Sequence, residues 1–247
     1  MVCERLEDNE ISPWWGEHIH RYEEAIKHLQ STNNVLDLAC GNGFGANLLS
    51  QHTTNQVIGA DLSPEAINYC SQQYTKKPNL LFQQMDGTAL PFENEHFDLI
   101  TSFETIEHTT QYLKMISEFH RVLKKGASLI VSTPNILINS PTGTVTNPFH
   151  TQEFNYNQLS SILTQVFETV NLMGQQYIRY ENTNKFPQFI ENIFYLRGIR
   201  KLPIKFQDKI MKLLINKPMY PTTADFEMTS DKNKILQSKT FFAICTK

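Results

Sequence analysis

Residues 35–45 read Val-Leu-Asp-Leu-Ala-Cys-Gly-Asn-Gly-Phe-Gly, an apolar run that leads into three alternating glycines. The apolar part predicts a buried strand, and the glycines predict a sharp turn into a helix. Glycine suits such a turn because it adopts backbone angles that other residues avoid and lets a ligand approach the backbone closely. Together with Ala46, the spacing Gly41-x-Gly43-x-x-Ala46 also satisfies the dinucleotide-binding pattern, so the loop alone leaves the ligand open.

Acidic residues before and after the glycines narrow the choice of ligand. Asp61 ends the second predicted strand, where a carboxylate can accept hydrogen bonds from the ribose of NAD or of an adenosyl ligand equally well. Asp37, just before the glycines, would repel a pyrophosphate but attract an ammonium group. Asp86 and Gly87 follow the third strand, where an adenine edge would lie. One ligand that combines an ammonium, a carboxylate, a ribose and an adenine is S-adenosylmethionine.

The rest of the chain alternates between short β-rich runs and segments with helical spacing, which predicts an α/β fold with a parallel sheet. A helix is predicted over 14–30, and a helical cap is predicted over 179–239, where two apolar segments interrupt the connection to the last strand. The predicted strands are 34–39, 56–60, 80–84, 97–102, 128–133, 166–173 and 240–246.

Composition excludes several classes of protein. The 247 residues carry a net charge of −3, whereas a protein that binds duplex DNA normally presents a strongly basic face. No apolar run reaches the ~18 residues of a membrane span, and the acidic start does not resemble a signal peptide. The four cysteines lie far apart without a C-x-x-C pair, so neither a zinc ribbon nor a disulfide framework is expected. We therefore expect a soluble, cytoplasmic enzyme without a metal site.

The successive motifs resemble those of class I S-adenosylmethionine-dependent methyltransferases, with the type 11 domain family as the nearest subgroup. The resemblance is close over about residues 33–135 and looser to 174. It implies a single domain with a Rossmann-like, seven-stranded, mostly parallel sheet and an antiparallel last strand over 240–247. In this scheme 1–30 is an N-terminal helical segment, 33–174 is the cofactor-binding core and 179–239 is an inserted cap. The motifs that carry the resemblance lie at 35–45, 57–61, 86–92, 97–108 and 121–135.

The resemblance implies a role for each motif residue on the methionine side of the cofactor. Gly41, Gly43 and the backbone near Ala39 would line the methionine moiety, and Asp37 would lie near its ammonium group. Phe103, at the end of the fourth strand, would lie beside the sulfonium. For Phe103, simple packing in the protein core is an equally good interpretation.

On the adenosine side, the resemblance implies that Asp61 holds the ribose and that Leu62 lies against the adenine. Asp86 and Gly87 would meet the adenine amino group. The N-terminal helix often folds over the cofactor in this family, which makes His18 and Tyr22 further candidates for contact. Tyr22 could equally belong to the core.

Two histidines are candidates for a general base, because an imidazole titrates near neutral pH and can accept a proton from a hydroxyl. His150 lies in a loop after the fifth strand, and Pro148 stiffens its approach. His108 follows the fourth strand. His150 is the first candidate, although it could instead only cap the helix that begins near Asn155 or hydrogen-bond the loop. The transfer itself requires no metal.

The acceptor is expected to be a small or sugar-like molecule that is methylated on oxygen. Nucleic acid is disfavoured, because residues 102–105 read Ser-Phe-Glu-Thr and lack the Pro-Pro-aromatic motif that grips a flipped base. N- or C-methylation of a metabolite, a nicotinamide-dependent oxidoreductase and a cofactor-binding pseudoenzyme remain alternatives. Peripheral membrane contact is a further one, because the cap carries seven basic residues between 195 and 217, namely Arg197, Arg200, Lys201, Lys205, Lys209, Lys212 and Lys217.

Overall fold

The computed structural model describes residues 12–181, 186–196 and 203–247 of the chain. The strands within these ranges are β1 (Val35–Leu38), β2 (Val57–Asp61), β3 (Leu80–Gln84), β4 (Phe97–Phe103), β5 (Leu123–Pro134), β6 (Thr169–Tyr177), β7 (Phe226–Thr229) and β8 (Thr240–Thr246). The α-helices are α1 (Trp15–Ile26), α2 (Phe44–Leu49), α3 (Pro64–Gln73), α4 (Tyr112–Val122), α5 (Ile136–Asn139), α6 (Tyr156–Thr164), α7 (Phe186–Leu196), α8 (Ile204–Ile215) and α9 (Lys232–Gln237). Single 3-10 turns cover Ile106–His108 and Thr223–Asp225.

The strands form one sheet in the order β3-β2-β1-β4-β5-β8-β6-β7. Strands β1 to β5 pair with one another in parallel, whereas β8 is antiparallel to both β5 and β6. The Rossmann-like α/β class and the antiparallel last strand are therefore confirmed. The carboxyl ends of β1 to β5 meet at one edge, and the strand order reverses between β1 and β4, which is where open α/β sheets bind ligands.

Among the described residues, the sheet has eight strands, one more than the seven expected. The additional strand, β7, lies inside the segment 179–239 that the sequence predicts as helical. Its four residues, Phe-Glu-Met-Thr, do alternate between apolar and polar side chains, but four is the shortest run that can show this pattern, and the helical spacing of the segments before it dominated the prediction. Helices α7 and α8 overlap the two apolar segments predicted in the cap. Three of the seven basic residues of the cap, Arg197, Arg200 and Lys201, lie outside the described residues.

Consecutive residues of the inner strands belong to two different hydrophobic clusters. Leu129 and Phe241 pack in one cluster, and Ile130 and Phe242 pack in the other. Because neighbouring side chains of a strand point to opposite faces, the sheet is buried on both faces.

The chain divides into two compact units. The first contains residues 21–176 and 228–247, and the second contains residues 12–20 and the described part of 177–227. Within the second unit, Met211 and Met219 form a small buried cluster, and the buried Arg179 donates to Asp225 at 3.1 Å. Its helix α8 exposes Phe206 and Leu213 beside lysines. Among the described residues, the longest helices have 12 residues, and none has the length and apolar character that crossing a membrane requires.

Candidate active site

The loop between β1 and α2 holds three residues in the left-handed backbone region. Their φ angles are 59° for Ala39, 56° for Gly41 and 80° for Gly43. A Cβ on Gly43 would lie 2.7 Å from the ring of Phe82, so this glycine is required by packing as well as by its backbone angle. A Cβ on Gly41 would meet nothing within 4 Å. Gly41 is therefore the point at which a ligand can approach the loop backbone.

Asp61, the last residue of β2, holds this loop in place through hydrogen bonds. One carboxylate oxygen accepts the backbone N–H of Gly41 at 3.0 Å, and the other accepts the N–H of Ser63 at 2.9 Å. Each carboxylate oxygen can accept more than one hydrogen bond, so Asp61 keeps capacity for a ligand hydroxyl. The next residue, Leu62, leaves 68% of its surface exposed beside the loop.

Asp37 lies beneath the loop and is fully buried. The hydroxyl of Thr101 donates to it at 2.7 Å, the hydroxyl of Tyr22 lies 3.1 and 3.2 Å from its two oxygens, and the backbone N–H of Ala46 donates a further hydrogen bond. Burial raises the pKa of Asp37 from 3.8 to about 7, although these hydrogen bonds lower it. Asp37 can therefore change its charge near neutral pH.

Tyr22 connects helix α1 to the loop. A Cβ on Gly45 would lie 1.9 Å from its ring, so the ring packs directly on this glycine. The ring also meets Phe103 edge-on, with centroids 4.8 Å apart. Phe103 in turn stacks on Phe242, which places it in the core at the end of β4. Burial and the nearby Asp37 raise the pKa of Tyr22 well above 10, so it remains a hydrogen-bond donor.

Asp86 and Gly87, the two residues predicted to contact the adenine, follow β3. One oxygen of Asp86 accepts both the N–H and the hydroxyl of Thr88 at 2.8 Å, and the N–H bond is the main cause of its lowered pKa. Gly87 is buried, and a Cβ there would lie 2.6 Å from Leu38. His18 lies on α1 within the second unit, so its predicted contact with the cofactor stays a prediction.

The two candidate bases lie against each other after β4 and β5. The rings of His108 and His150 meet edge-on with centroids 4.9 Å apart. His108 leaves 37% of its side chain exposed and His150 only 9%. The Nε2 atom of His150 lies 3.0 Å from the side-chain nitrogen of Asn147, whose oxygen accepts the N–H of Phe149. The lone pair of His150 Nε2 thus already accepts a hydrogen bond, and the loop interaction weighed as its alternative role is present.

Sequence reasoning did not single out Glu107, the fully buried neighbour of His108. Its Oε2 accepts the hydroxyl of Thr133 at 2.9 Å, and burial, followed by the charge of Glu104, raises its pKa well above the usual range. Glu104 forms an ion pair with the buried Arg21 at 3.3 Å. Two acids within the run Phe-Glu-Thr-Ile-Glu-His at a sheet edge were the available signal.

The chain is similar to several known proteins. Residues 36–131 match the model of a family described as "Methyltransferase domain". A protein of Mycolicibacterium smegmatis named "Probable S-adenosylmethionine-dependent methyltransferase" is 32% identical over 163 residues, which cover 65% of this chain and 62% of that protein. A phthiotriol/phenolphthiotriol dimycocerosates methyltransferase of Mycobacterium leprae is 31% identical over 115 residues, covering 45% of this chain and 42% of that protein.

This chain spans less than two thirds of the length of either relative. Among solved structures, the YcgJ protein of Bacillus subtilis matches with a TM-score of 0.61 and 19% identity, over 93% of this chain and 99% of that one. At this identity the likeness concerns the fold alone.

Proposed function

Because residues 36–131 form a class I S-adenosylmethionine-dependent methyltransferase domain, we propose that this chain transfers the cofactor's methyl group to a hydroxyl of a small-molecule or glycan-type acceptor. The observation that carries the proposal is the pairing of Gly41 and Asp61. The glycine offers open, left-handed backbone, and the acid at the end of β2 holds that backbone while retaining capacity for a ribose hydroxyl.

The donor set of the loop fits S-adenosylmethionine better than a dinucleotide. Asp37 would be unfavourable beside a pyrophosphate, whereas its charged form attracts the ammonium group of the methionine moiety. Gly41, Gly43 and Ala39 would line that moiety. The exposed Leu62 supplies an apolar surface for the adenine.

The remaining positions are assigned on the same basis. Asp86 and Gly87 would meet the adenine amino group, because they follow β3 at the same edge. Phe103 and Tyr22 would close the site beneath the sulfonium, since both rings are buried and in contact.

Bound S-adenosylmethionine supplies a methyl group that is already activated for in-line displacement. The residues of the chain then contribute mainly by alignment, which can account for much of the rate. His108 and His150 lie at the end of β4 and after β5, and we assign both to the acceptor side. Each has its Nδ1 within 3.0 Å of an oxygen atom that accepts its hydrogen bond, so Nε2 is the nitrogen that can face the methyl-accepting substrate. In His150 this requires the amide of Asn147 to turn away first.

Calorimetry and turnover together test this function. The intact chain should bind S-adenosylhomocysteine and show no binding of NAD at the same concentration. Incubation of a cell extract with the chain and isotope-labelled S-adenosylmethionine should give a labelled small molecule. Binding of NAD alone would favour the oxidoreductase alternative, and binding of S-adenosylhomocysteine without labelled product would favour a pseudoenzyme.

We further propose that residues 179–239 select the acceptor, with a lipid-linked acceptor as a second candidate. On α8, Phe206 and Leu213 expose 53% and 84% of their surface, and Lys205 and Lys209 are exposed on the adjacent side. An apolar stripe beside lysines is typical of helices that lie on an anionic membrane surface. The relative from Mycobacterium leprae is named for dimycocerosate esters of a triol, in which one alcohol hydroxyl remains free.

Sedimentation with vesicles tests the membrane contact. The chain should sediment with vesicles that contain phosphatidylserine, and Leu213→Ser together with Phe206→Ser should abolish this, whereas exchange of the exposed Leu137 on α5 for Ser should not. Equal sedimentation of all three proteins would exclude α8 as the contact. For the site of action we propose the cytoplasm, because Cys40, Cys70 and Cys245 are free thiols.

A further inference from the structure

Three potential metal ligands meet at the sheet edge after β4. The ligand atoms of Glu107, His108 and His150 all lie within 4.8 Å of one another, and Nε2 of His108 is 4.0 Å from Oε1 of Glu107. Glu107 is fully buried, and among the described residues this Oε1 has no hydrogen-bond partner. A buried, unpaired carboxylate oxygen is unfavourable unless a cation or a donor satisfies it.

Both imidazoles are held in the manner typical of metal ligands. Nδ1 of His108 lies 3.0 Å from the backbone oxygen of Phe149, and Nδ1 of His150 lies 2.8 Å from Oε1 of Glu153. Since these oxygens can only accept unless Glu153 is protonated, each Nδ1 donates and each Nε2 carries the lone pair. A histidine that binds a metal usually donates its other ring N–H to a carbonyl or a carboxylate in this way.

We propose that Glu107, His108 and His150 bind one divalent transition-metal ion. Two imidazoles and one carboxylate suit ions such as Mn²⁺, Fe²⁺, Co²⁺ and Zn²⁺ better than Mg²⁺, which prefers oxygen ligands. Metal–ligand distances of about 2.0–2.2 Å require the three atoms to approach by roughly 1 Å. The amide of Asn147, 3.0 Å from Nε2 of His150, has to turn away when the ion binds.

The sequence predicts no metal site. It gives no sign of this one, because 41 residues separate His108 from His150 and no short motif connects them. Three protein ligands leave coordination positions open, and an oxygen bound there becomes more acidic. The ion would therefore bind the acceptor hydroxyl and favour loss of its proton to solvent water, while the methyl group leaves sulfur for oxygen and S-adenosylhomocysteine remains. The two histidines would act through the ion rather than as free bases. That role rests on the proposed function, whereas binding of the ion does not.

Metal titration of the tag-free, full-length chain tests the site. We expect one equivalent of Co²⁺ to bind and give visible absorption bands, and Mn²⁺ to compete for the same site. Glu107→Gln keeps the shape of the side chain and can still accept from Thr133, so it should fold while weakening Co²⁺ binding by at least about tenfold. His108→Ala, at a partly exposed position, should do the same. His52→Ala, which removes an exposed histidine in the turn after α2, is the matched control and should bind as the parent does.

Two results would overturn the proposal. One is the absence of Co²⁺ and Mn²⁺ binding at millimolar concentration, and the other is equal affinity in Glu107→Gln, His108→Ala and His52→Ala. Circular dichroism of each variant checks the fold. S-adenosylhomocysteine binding is measured on the same samples. If the parent chain binds S-adenosylhomocysteine but no metal, only the metal site is contradicted. If the parent chain does not bind S-adenosylhomocysteine, the proposed function is contradicted.

Discussion

The hydroxyl of Tyr22, on helix α1, lies within 3.2 Å of both carboxylate oxygens of Asp37, on strand β1. This contact joins the N-terminal helix to the buried acid beneath the glycine loop. The same ring fills the space above Gly45. The position of α1 and the charge of Asp37 are therefore coupled.

We predict that Tyr22→Phe lowers the free energy of unfolding by about 1–3 kcal/mol at pH 8, because a hydrogen bond to the charged Asp37 is lost. The effect should be smaller at pH 5, where Asp37 is protonated. Urea denaturation at both pH values measures it. Tyr112→Phe, at a ring that packs on Phe154, is the control and should show no such pH dependence.

Asp37 should also make stability depend on pH. Its pKa is raised from 3.8 to about 7, so between these values the folded chain holds a proton that the unfolded chain has lost. The contribution of this group to stability therefore falls as the pH rises from about 4 to about 7, by up to ~1.4 kcal/mol per pH unit. The difference in unfolding free energy between the parent and Asp37→Asn should decrease over this range. A difference that is constant with pH would show that Asp37 ionises at an ordinary pKa.

Asp61→Ala should weaken binding of S-adenosylhomocysteine by about 1–3 kcal/mol, or roughly 5- to 150-fold, because it removes a charged acceptor and releases the N–H of Gly41. Calorimetry measures the affinity. Asp231→Ala removes the carboxylate that caps α9 and serves as the control. Unchanged affinity in folded Asp61→Ala protein would remove Asp61 from the ribose site.

The two loop glycines should respond differently to alanine. Gly43→Ala brings a Cβ to 2.7 Å from Phe82 in addition to the left-handed strain, so it should lower thermal stability the more strongly. Gly41→Ala meets only the strain of about 1–2 kcal/mol, but its methyl group occupies the open face of the loop. We therefore expect Gly41→Ala to fold and to lose affinity for S-adenosylhomocysteine. Tight binding by this variant would place the ligand elsewhere.

The sequence predicts the glycine loop and the acids Asp61 and Asp86, because each lies within a short motif whose residues act locally. Contacts between distant residues left no such pattern. Arg21 is an example. It forms an ion pair with Glu104 and donates a hydrogen bond to Gln175, which lies 154 residues further along the chain, and both contacts arise only in the folded chain. The surroundings of Glu107 could not be inferred either, because the loop after β5 contacts it from far along the chain: the N–H and the hydroxyl of Thr151 donate to its backbone oxygen at 2.8 and 3.0 Å.

The order of strands in the sheet has a consequence for how the chain folds during synthesis. Strand β8 is the last of the eight to be made, yet it lies between β5 and β6. On the ribosome, the edge of β5 stays unpaired until β8 has emerged. Strand β6 joins the sheet only by pairing with β8, so β6 and β7 cannot be added before then. Pairing between strands so far apart in the chain is slow, and an unpaired apolar edge invites aggregation. We expect nascent chains that stop before residue 240 to depend on chaperones, while the β1 to β4 region can already form.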